Sequence, residues 1–497
     1  MLSAQFYNMP DDYFFSRLTE AQLAIKDASV HSGAKPYIPF FGKKYEHVCD
    51  SHRVYKYIVN DPGVDFVFYN HFIQFQPKGE RFSLRIDPII NLEKGKDFAD
   101  TLGKNLFVNT RGVVASGFVG EKVYFETMFA ENQATFPNYL YNYSQVSKII
   151  PGQGRYKYFK TGRSYDFGFS LGFISVQITK NFNFQAGHGK QKIGHGYRSL
   201  LLSDNAFNYP YSRFTAQWFK GKLQYTGIYA VLMNLTPASQ KISSQTEALF
   251  QKKPASLQYL SWNVSRNLCL GFFQGMIWRS GNSRNEHSVD WQFFNPVVYS
   301  NLIFYKLNNR NNLVAGGDAK WKITDHLNVY GQWMTDDLSG KDSLGKGFGY
   351  QAGANYFDAF GLKNLAIQAE YNKVSEGSYR NVNGILTDQS YTHYNQMLGT
   401  PVRGNEFVLT ASYNKSRFYY TLRYNYQDVP LNGRSYYYNH LLNLSACYLI
   451  NRSYNLNLSM GYTYRKQNFY NFKNFNNTTG YFYIGLRTSL YNYYYDL

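Results

Sequence analysis

The residues best suited to chemistry in this sequence lie between positions 187 and 206. Gly187-His188-Gly189-Lys190 has the composition of a glycine-rich phosphate loop, and His188 and His195 are two possible metal ligands. A phosphate loop needs a helix after it, and the sequence predicts none here. A metal site needs further ligands at suitable spacing, and no carboxylate or cysteine follows such a pattern. We therefore expect neither a metal nor a cofactor at this segment.

Two glutamates could in principle supply acid–base chemistry. Glu126 and Glu131 lie in a strand-like segment, and Arg85 and Arg111 lie in similar segments before it. We predict salt bridges between these glutamates and arginines inside a barrel rather than a catalytic pair. The sequence contains no His-Glu-x-x-His motif and no complete P-loop motif. We expect that the protein is not an enzyme.

Cationic and aromatic side chains could instead bind a glycan, because tyrosine rings stack on sugars and guanidinium groups attract acidic ones. Alternatively, loop tyrosines and asparagines merely order the loops. Charges of mixed sign inside a wide barrel form cross-lumen ion pairs or line a selective channel, and the sequence leaves both open. The candidates for glycan binding or for lining a lumen are Arg85, Arg111, Lys190, Lys192, Tyr197, Arg198, Arg423 and Arg465.

The elements that would position these side chains alternate apolar and polar residues with the period of a β-strand. The segments 313–323, 365–372 and 418–426 show this alternation. A sandwich alternates too, but several runs reach the roughly 9–11 residues that a tilted strand needs to cross a bilayer. In the clearest segment, 455–465, the apolar positions are Leu456, Leu458, Met460, Tyr462 and Tyr464.

We predict an all-β fold, a transmembrane antiparallel β-barrel of about 18 strands, because an open sheet edge in lipid leaves backbone groups unpaired. Short connections such as 414–417 alternate with long polar ones such as 188–210 and 374–403. This asymmetry is typical of short periplasmic turns and long external loops. Tyr481 to Tyr491 is the predicted final strand, and Cys447 is predicted to face the lumen with Asn443 and Ser445.

Residues 1–60 differ from the rest and are predicted to form a short helical and extended periplasmic segment, with the barrel spanning 61–497. Asp11 and Asp12 could cap a helix. The segment from Met1 to Gln5 resembles the end of a signal peptide, truncated or removed before Gln5 or Phe6. We therefore expect a location in the bacterial outer membrane.

The composition agrees with this interpretation. The chain has 48 Tyr and 40 Phe among 497 residues, which suits the aromatic girdles of a membrane barrel. The formal net charge of +19 favours anionic partners. We expect outer-membrane lipid and lipopolysaccharide as partners, together with acidic surface polysaccharide. Zinc-finger spacing and RNP motifs are absent, which argues against nucleic acid.

A series of motifs, in order along the chain, gives the sequence a resemblance to a known family. Besides the segment 187–206, they include Asp87-Pro88-Ile89-Ile90-Asn91, Asn109-Thr110-Arg111-Gly112 and Phe294-Asn295-Pro296-Val297. The chain resembles the Wzi capsule-assembly family of outer-membrane proteins, and within it the Bacteroidota branch that includes the gliding-motility protein RemB. In the segment 272–278, Gln274 stands where an acid would be expected, which puts in doubt any role for an acid there.

The resemblance implies a barrel with a periplasmic helical element and no shared set of catalytic residues. We accordingly predict a non-enzymatic outer-membrane barrel involved in surface polysaccharide (capsule) attachment or assembly, or in gliding motility. The alternatives are a porin or transporter, and an accessory subunit of an outer-membrane secretion or assembly complex. In the last case, other proteins of the secretion or gliding machinery would be partners.

Overall fold

The computed structural model describes most of the chain from residue 62 onwards. The helix predicted from Asp11, the signal-like start and Cys49 lie outside the described residues, so the predicted boundary between 1–60 and 61–497 stays a prediction. The described ranges are 20–21, 30–36, 62–77, 80–100, 105–159, 163–237, 250–278, 291–305, 311–337, 346–381, 388–431, 435–470, 477–489 and 492–497.

The predicted barrel and its strand count are confirmed. Eighteen long antiparallel strands form one closed barrel, in which the last strand pairs with the first. The strands are β1 Phe82–Asp97, β2 Leu106–Val119, β3 Val123–Thr135, β4 Ser164–Thr179, β5 Phe182–Gly189, β6 Tyr209–Trp218, β7 Leu223–Pro237, β8 Phe250–Asn263, β9 Leu268–Ile277, β10 Asn312–Lys322, β11 Leu327–Asp337, β12 Gly347–Phe357, β13 Leu365–Val374, β14 Asn405–Lys415, β15 Phe418–Leu431, β16 Ser435–Asn451, β17 Leu456–Phe469 and β18 Asn477–Thr488.

The two ends of the barrel differ. Turns such as 416–417 lie at one end, which we call the short-turn end, and connections such as 375–404 lie at the other, the long-loop end. Helix α1, Pro62–Phe68, packs at the short-turn end, where Asn451 Nδ2 donates a hydrogen bond to the Val67 carbonyl at 2.9 Å. No described helix is long and apolar enough to cross a membrane.

Strand β17 places polar residues inside and apolar residues outside. In β17, Leu458 and Met460 are 47% and 48% exposed, whereas Asn457 and Ser459 are 3% and 1% exposed. The predicted faces of this strand are therefore correct, and Cys447 is buried on the lumen side as predicted. Outside, the apolar side chains meet lipid, which has no water to hydrogen-bond a polar group.

Arg111 does not face the lumen, contrary to its predicted grouping with the lumen charges. It is exposed on the outward face of β2, opposite the exposed Glu131 of β3. The neighbouring lumen positions are Thr110 and Gly112, so the alternation runs in the opposite phase. The sequence could not fix this phase, because three polar residues precede Gly112 and three apolar residues follow it.

Three long-loop or terminal segments fill the lumen. The inner loop, residues 190–208, connects β5 to β6. Helix α2, Asn138–Ser147, lies between β3 and β4. The C-terminal segment, residues 492–497, follows β18, which ends at Thr488 rather than at Tyr491 as predicted. Barrels of 16–18 strands are wide enough to leave an aqueous channel, so the three segments determine whether this lumen is open or filled.

Candidate functional site

The inner loop crosses the lumen and is anchored at several points. Its residues Lys192–Ile193 pair with Ala34–Lys35 in a two-stranded sheet. Leu200, Leu201 and Leu202 are fully buried, and each buried leucine stabilises the docked loop by about 1.5–3 kcal/mol. The hydroxyl of Tyr379 donates to the Leu200 carbonyl at 2.7 Å, and that of Tyr391 donates to the Leu201 carbonyl at 2.9 Å.

Arg198 makes the central ionic contact of the inner loop. Its Nε lies 3.0 Å from Glu406 Oε2, and its Nη2 lies 3.1 Å from Glu406 Oε1, so the pair is bidentate. Glu406 belongs to β14, so this pair ties the loop to the barrel wall. A planar guanidinium matches a carboxylate in this geometry better than an ammonium group would.

Glu370 of β13 anchors the backbone of the same loop. Its carboxylate accepts hydrogen bonds from the backbone N–H groups of Tyr197 at 2.7 Å and Arg198 at 3.2 Å. The Tyr330 hydroxyl donates to the same carboxylate at 2.8 Å, as does Asn372 Nδ2 at 2.8 Å. Its hydrogen bonds to four donors satisfy a buried carboxylate that would otherwise be costly to place inside the barrel.

The C-terminal segment contributes Asp496 to the buried polar contacts of Tyr197, Arg198, Glu370 and Glu406, which we call the lumen network. Asp496 Oδ2 accepts from the Tyr197 hydroxyl at 2.7 Å and lies 3.3 Å from Arg198 Nη2 and 4.0 Å from Arg423 Nη1. Burial alone raises the pKa of Asp496, but the guanidinium groups of Arg198 and Arg423 outweigh it and hold that pKa below its ordinary value. Asp496 therefore stays ionised and joins three parts of the chain.

Six of the eight predicted site residues meet in this region. Lys190 Nζ donates to the Asp204 carbonyl at 3.0 Å, and Lys192 Nζ donates to the Tyr197 carbonyl at 3.1 Å. Arg423 lies 4.8 Å from the centre of the Tyr197 ring. Arg465 Nη2 donates to the Leu497 carbonyl at 3.3 Å. Tyr197, Arg198 and Arg423 each contact Asp496 directly.

The other two predicted residues lie elsewhere. Arg85 faces the lumen from β1, in register with Ser116, which is in register with Glu126. The Glu126 carboxylate accepts a hydrogen bond from the Tyr124 hydroxyl at 2.6 Å. Arg111 and Glu131 oppose each other on the outer face, as described above. Sequence reasoning missed Glu406 and Asp496, because a single acid in an alternating strand or a tyrosine-rich tail carries no motif.

A cavity of about 170 Å³ lies beside the network. It runs from residues near helix α2 at the long-loop end to Thr488 and Ser489 at the short-turn end. Its wall combines aromatic rings, amides, two arginines and two acids. The lining residues used below are Tyr139, Arg423, Asn443, Tyr481 and Arg487.

The features that first suggested other chemistry have structural explanations. His188 Nδ1 lies 3.2 Å from the Ser170 carbonyl, whereas His195 Nδ1 lies 2.7 Å from Asp318 Oδ2, so the two histidines have separate partners. A motif that the sequence analysis did not consider, Gly168-Phe169-Ser170-Leu171-Gly172, fits the Gly-x-Ser-x-Gly pattern, but it lies inside β4 and not at a strand-to-helix turn. Within the described part of the chain, no group of three or more metal-ligating side chains is arranged around a common point.

Comparison with known proteins supports the fold. Neither a protein-family model nor a curated protein sequence matches the chain. Among solved structures, the chain is similar to Wzi from Escherichia coli, an outer-membrane protein involved in group 1 capsule assembly and described as a carbohydrate-binding β-barrel. The TM-score is 0.58 at 13% identity, over 97% of this chain and 99% of that one.

Two porin-like structures show weaker similarity. OprD from Pseudomonas aeruginosa has a TM-score of 0.44 at 10% identity, over 84% of this chain and 98% of that one. OccAB2 from Acinetobacter baumannii has a TM-score of 0.46 at 10% identity, over 81% and 97%. The Wzi likeness identifies the fold as that of an outer-membrane barrel, and the other two likenesses carry no argument about function.

Proposed function

We propose that this protein is a non-catalytic outer-membrane barrel that binds surface polysaccharide. The observation that carries the proposal is the crossed lumen: the inner loop and the C-terminal segment are joined to the wall by buried ion pairs that Arg198 makes with Glu406 and Asp496. Such an arrangement suits a binding protein better than a conduit. The likeness to the carbohydrate-binding Wzi barrel supports the same proposal.

The cavity beside the network has the chemistry of a saccharide site. The rings of Tyr139 and Tyr481 offer apolar faces for sugar C–H groups, and Asn443 offers an amide for hydroxyls. Arg423 and Arg487 would attract the carboxylates of an acidic saccharide, since each presents several donors. We therefore propose an acidic oligosaccharide unit as the ligand. Arg198, which is paired with Glu406 and Asp496, has a positioning role here.

The test is binding of the purified barrel in detergent micelles to an array of acidic and neutral glycans. We expect Arg487→Ala and Arg423→Ala each to weaken binding of an acidic glycan about tenfold, equivalent to about 1.4 kcal/mol. Lys415→Ala, at the exposed last residue of β14, removes the same charge outside the lining of the cavity and serves as the control. Equal affinities for all four proteins would contradict the proposed site.

The porin alternative is separated by planar-bilayer recordings. We expect no large steady conductance from the purified protein, because the inner loop crosses the lumen. A stable open pore of porin size would reject the proposal in favour of transport.

The cellular role that the resemblance implies is capsule attachment or assembly, with gliding motility as the second possibility. A deletion strain separates the two. Loss of cell-bound capsule with normal surface movement supports the first, and the opposite result supports the second. Co-purification of stoichiometric partners in mild detergent would instead favour an accessory subunit of a larger complex.

A further inference from the structure

The long connection between β9 and β10 places a segment on the outside of the barrel. This outer flap, residues 291–305, consists of a 3-10 turn, Trp291–Phe294, and helix α3, Ser300–Tyr305. The Tyr229 hydroxyl of β7 donates to the Phe294 carbonyl at 3.3 Å, and the flap's Tyr299 hydroxyl donates to the Gly316 carbonyl of β10 at 2.6 Å. The flap therefore lies across the outward side of β7 to β10.

The position of Tyr229 shows that the flap lies on the outer face of the barrel wall. It alternates along β7 with Ile228 and Ala230, which are buried in the lumen core. Its ring packs against Phe293 and Phe294 of the flap, with centroid separations of 5.3 and 5.6 Å. The contact is thus made on the face that the rest of the barrel turns to lipid.

Beneath the flap lie two polar side chains that face outwards. Gln258 of β8 and Gln274 of β9 are in register, and Gln274 Nε2 donates to Gln258 Oε1 at 3.0 Å. Their remaining bonds go to the flap: Gln258 Nε2 donates to the Asn295 carbonyl, and Gln274 Oε1 accepts from the Leu302 N–H at 3.3 Å. Uncovered amides in hydrocarbon would each cost several kcal/mol, so the flap shields them from lipid.

The flap has the polarity of a segment in lipid, not of a loop in water. It buries its polar side chains, with Gln292 at 5% and Asn301 at 0% exposure. It buries Phe293 against the wall and exposes five other large apolar side chains. The exposed side chains are Trp291 at 72%, Phe294 at 65%, Val297 at 61%, Ile303 at 76% and Phe304 at 62%.

This apolar side continues the lipid-facing surface of the wall. Trp333 of β11 exposes its ring on the outward face in register with Gly317, next to the Gly316 that bonds to the flap, and Trp321 exposes its ring on the same face at the short-turn end of β10. We propose that the outer flap is a membrane-embedded element, whose apolar side contacts the acyl chains of the outer leaflet. The inference rests on the barrel fold and is independent of the proposed polysaccharide function.

Spin-label accessibility in lipid vesicles tests the proposal. A nitroxide is attached at Ile303→Cys in a background in which Cys49, Cys269 and Cys447 are replaced by serine. Met460→Cys on the wall of β17 is the lipid reference, and Val146→Cys, an exposed residue of helix α2 at the long-loop end, is the aqueous reference. We expect the label at 303 to match that at 460, accessible to oxygen and protected from a water-soluble nickel chelate.

Two other outcomes would overturn the proposal. Nickel accessibility at 303 equal to that at 146 would place the flap in water. Exclusion of both reagents would mean that a protein, such as a second copy of the chain, covers it. A second measurement uses the cysteine-containing protein with the other five tryptophans replaced by phenylalanine: brominated lipid should quench the fluorescence of Trp291, and an absence of quenching would contradict the membrane location.

Discussion

Arg198 holds three distant parts of the chain together through one guanidinium group. It contacts Glu406 in β14 and Asp496 in the C-terminal segment while belonging to the inner loop. Removing one partner of a buried pair leaves an uncompensated charge, which costs more than the pair contributes. Removing one charge of the pair should therefore destabilise the filled lumen more than removing both.

Replacing Arg198 should reveal this dependence. We expect Arg198→Met to lower the free energy of unfolding by about 3–5 kcal/mol, and Arg198→Met/Glu406→Gln to lower it by less, because the double variant leaves one fewer buried charge. Urea unfolding in vesicles, followed by tryptophan fluorescence, measures both. Arg81→Ala, which breaks the exposed pair with Glu121, is the control and should cost about 0–1 kcal/mol. A similar loss for Arg198→Met and the control would be inconsistent with this role.

His31 gives a pH dependence to the segment 30–36, which pairs with the inner loop through Ala34 and Lys35. Its Nδ1 lies 2.8 Å from Ser261 Oγ and its Nε2 2.8 Å from the Gly221 carbonyl. Burial lowers the pKa of His31 to about 4, although the Gly221 carbonyl opposes the shift. The unfolded chain binds a proton near pH 6.5 while the folded chain does not, so stability is present above that pH and is lost as pH falls towards about 4.

The matched variant is His31→Asn, which keeps a hydrogen-bonding side chain and cannot titrate. We expect the wild-type protein to lose about 2 kcal/mol relative to this variant between pH 7 and pH 4. Thermal midpoints across the pH series measure the difference. Parallel curves for the two proteins would assign the acid sensitivity to other groups.

The residues of the lumen network show where sequence reasoning stops at this scale. Tyr197, Arg198 and Arg423 were predicted as candidates from their types, but their partners Glu406 and Asp496 were not. The partners lie 208 and 298 positions from Arg198. Only the closed barrel brings these residues together, and no local pattern encodes a contact of that separation.

Among the elements, the inner loop requires a glycine at position 194. Gly194 has a φ of 127°, and a side chain there would overlap the amide of Gln332, whose Oε1 accepts from the Leu200 N–H at 2.8 Å. The loop therefore needs a residue without Cβ where it passes β11.

Gly194→Ala should loosen the inner loop. We expect a loss of about 1–3 kcal/mol, from backbone strain and overlap, and faster cleavage of the loop by added protease. Gly168→Ala is the control, because a Cβ at that strand position would meet open space. Equal protease resistance of both variants would show that the loop tolerates the substitution.

Elements with a long regular period were predictable, and elements without one were not. The faces of β17 followed from strict alternation, whereas the phase of β2 was ambiguous around Arg111. The outer flap has no period that distinguishes it from an external loop. Its position follows from the polar pair Gln258 and Gln274 on the wall, a feature visible only once strand register is known.

At the scale of the whole molecule, charge sets the range over which the barrel attracts a ligand. The chain carries a formal net charge of +19, while the charges of the lumen network are paired with one another. Unpaired cationic groups elsewhere would then govern the encounter with an acidic polymer.

Binding of an acidic polysaccharide should therefore weaken as salt rises. We expect a loss of at least tenfold between about 50 and 500 mM sodium chloride, because the screening length falls several-fold over this range. Charge reversal of loop lysines and arginines should have the same effect. A neutral polysaccharide of the same length is the control, and identical salt dependence for both polymers would remove electrostatics from the explanation.

The barrel closes by pairing β18 with β1, which begin almost 400 positions apart, and the inner loop inside it bonds to strands that follow it by 130 residues or more. Loop-closure entropy must be overcome before such contacts form, so they make folding slow. The lumen filling can reach its bonded state only late, when the wall around it is nearly complete. After β18 has paired with β1, unfolding requires many contacts to break at once. The lifetime of the folded barrel is therefore set by a high unfolding barrier.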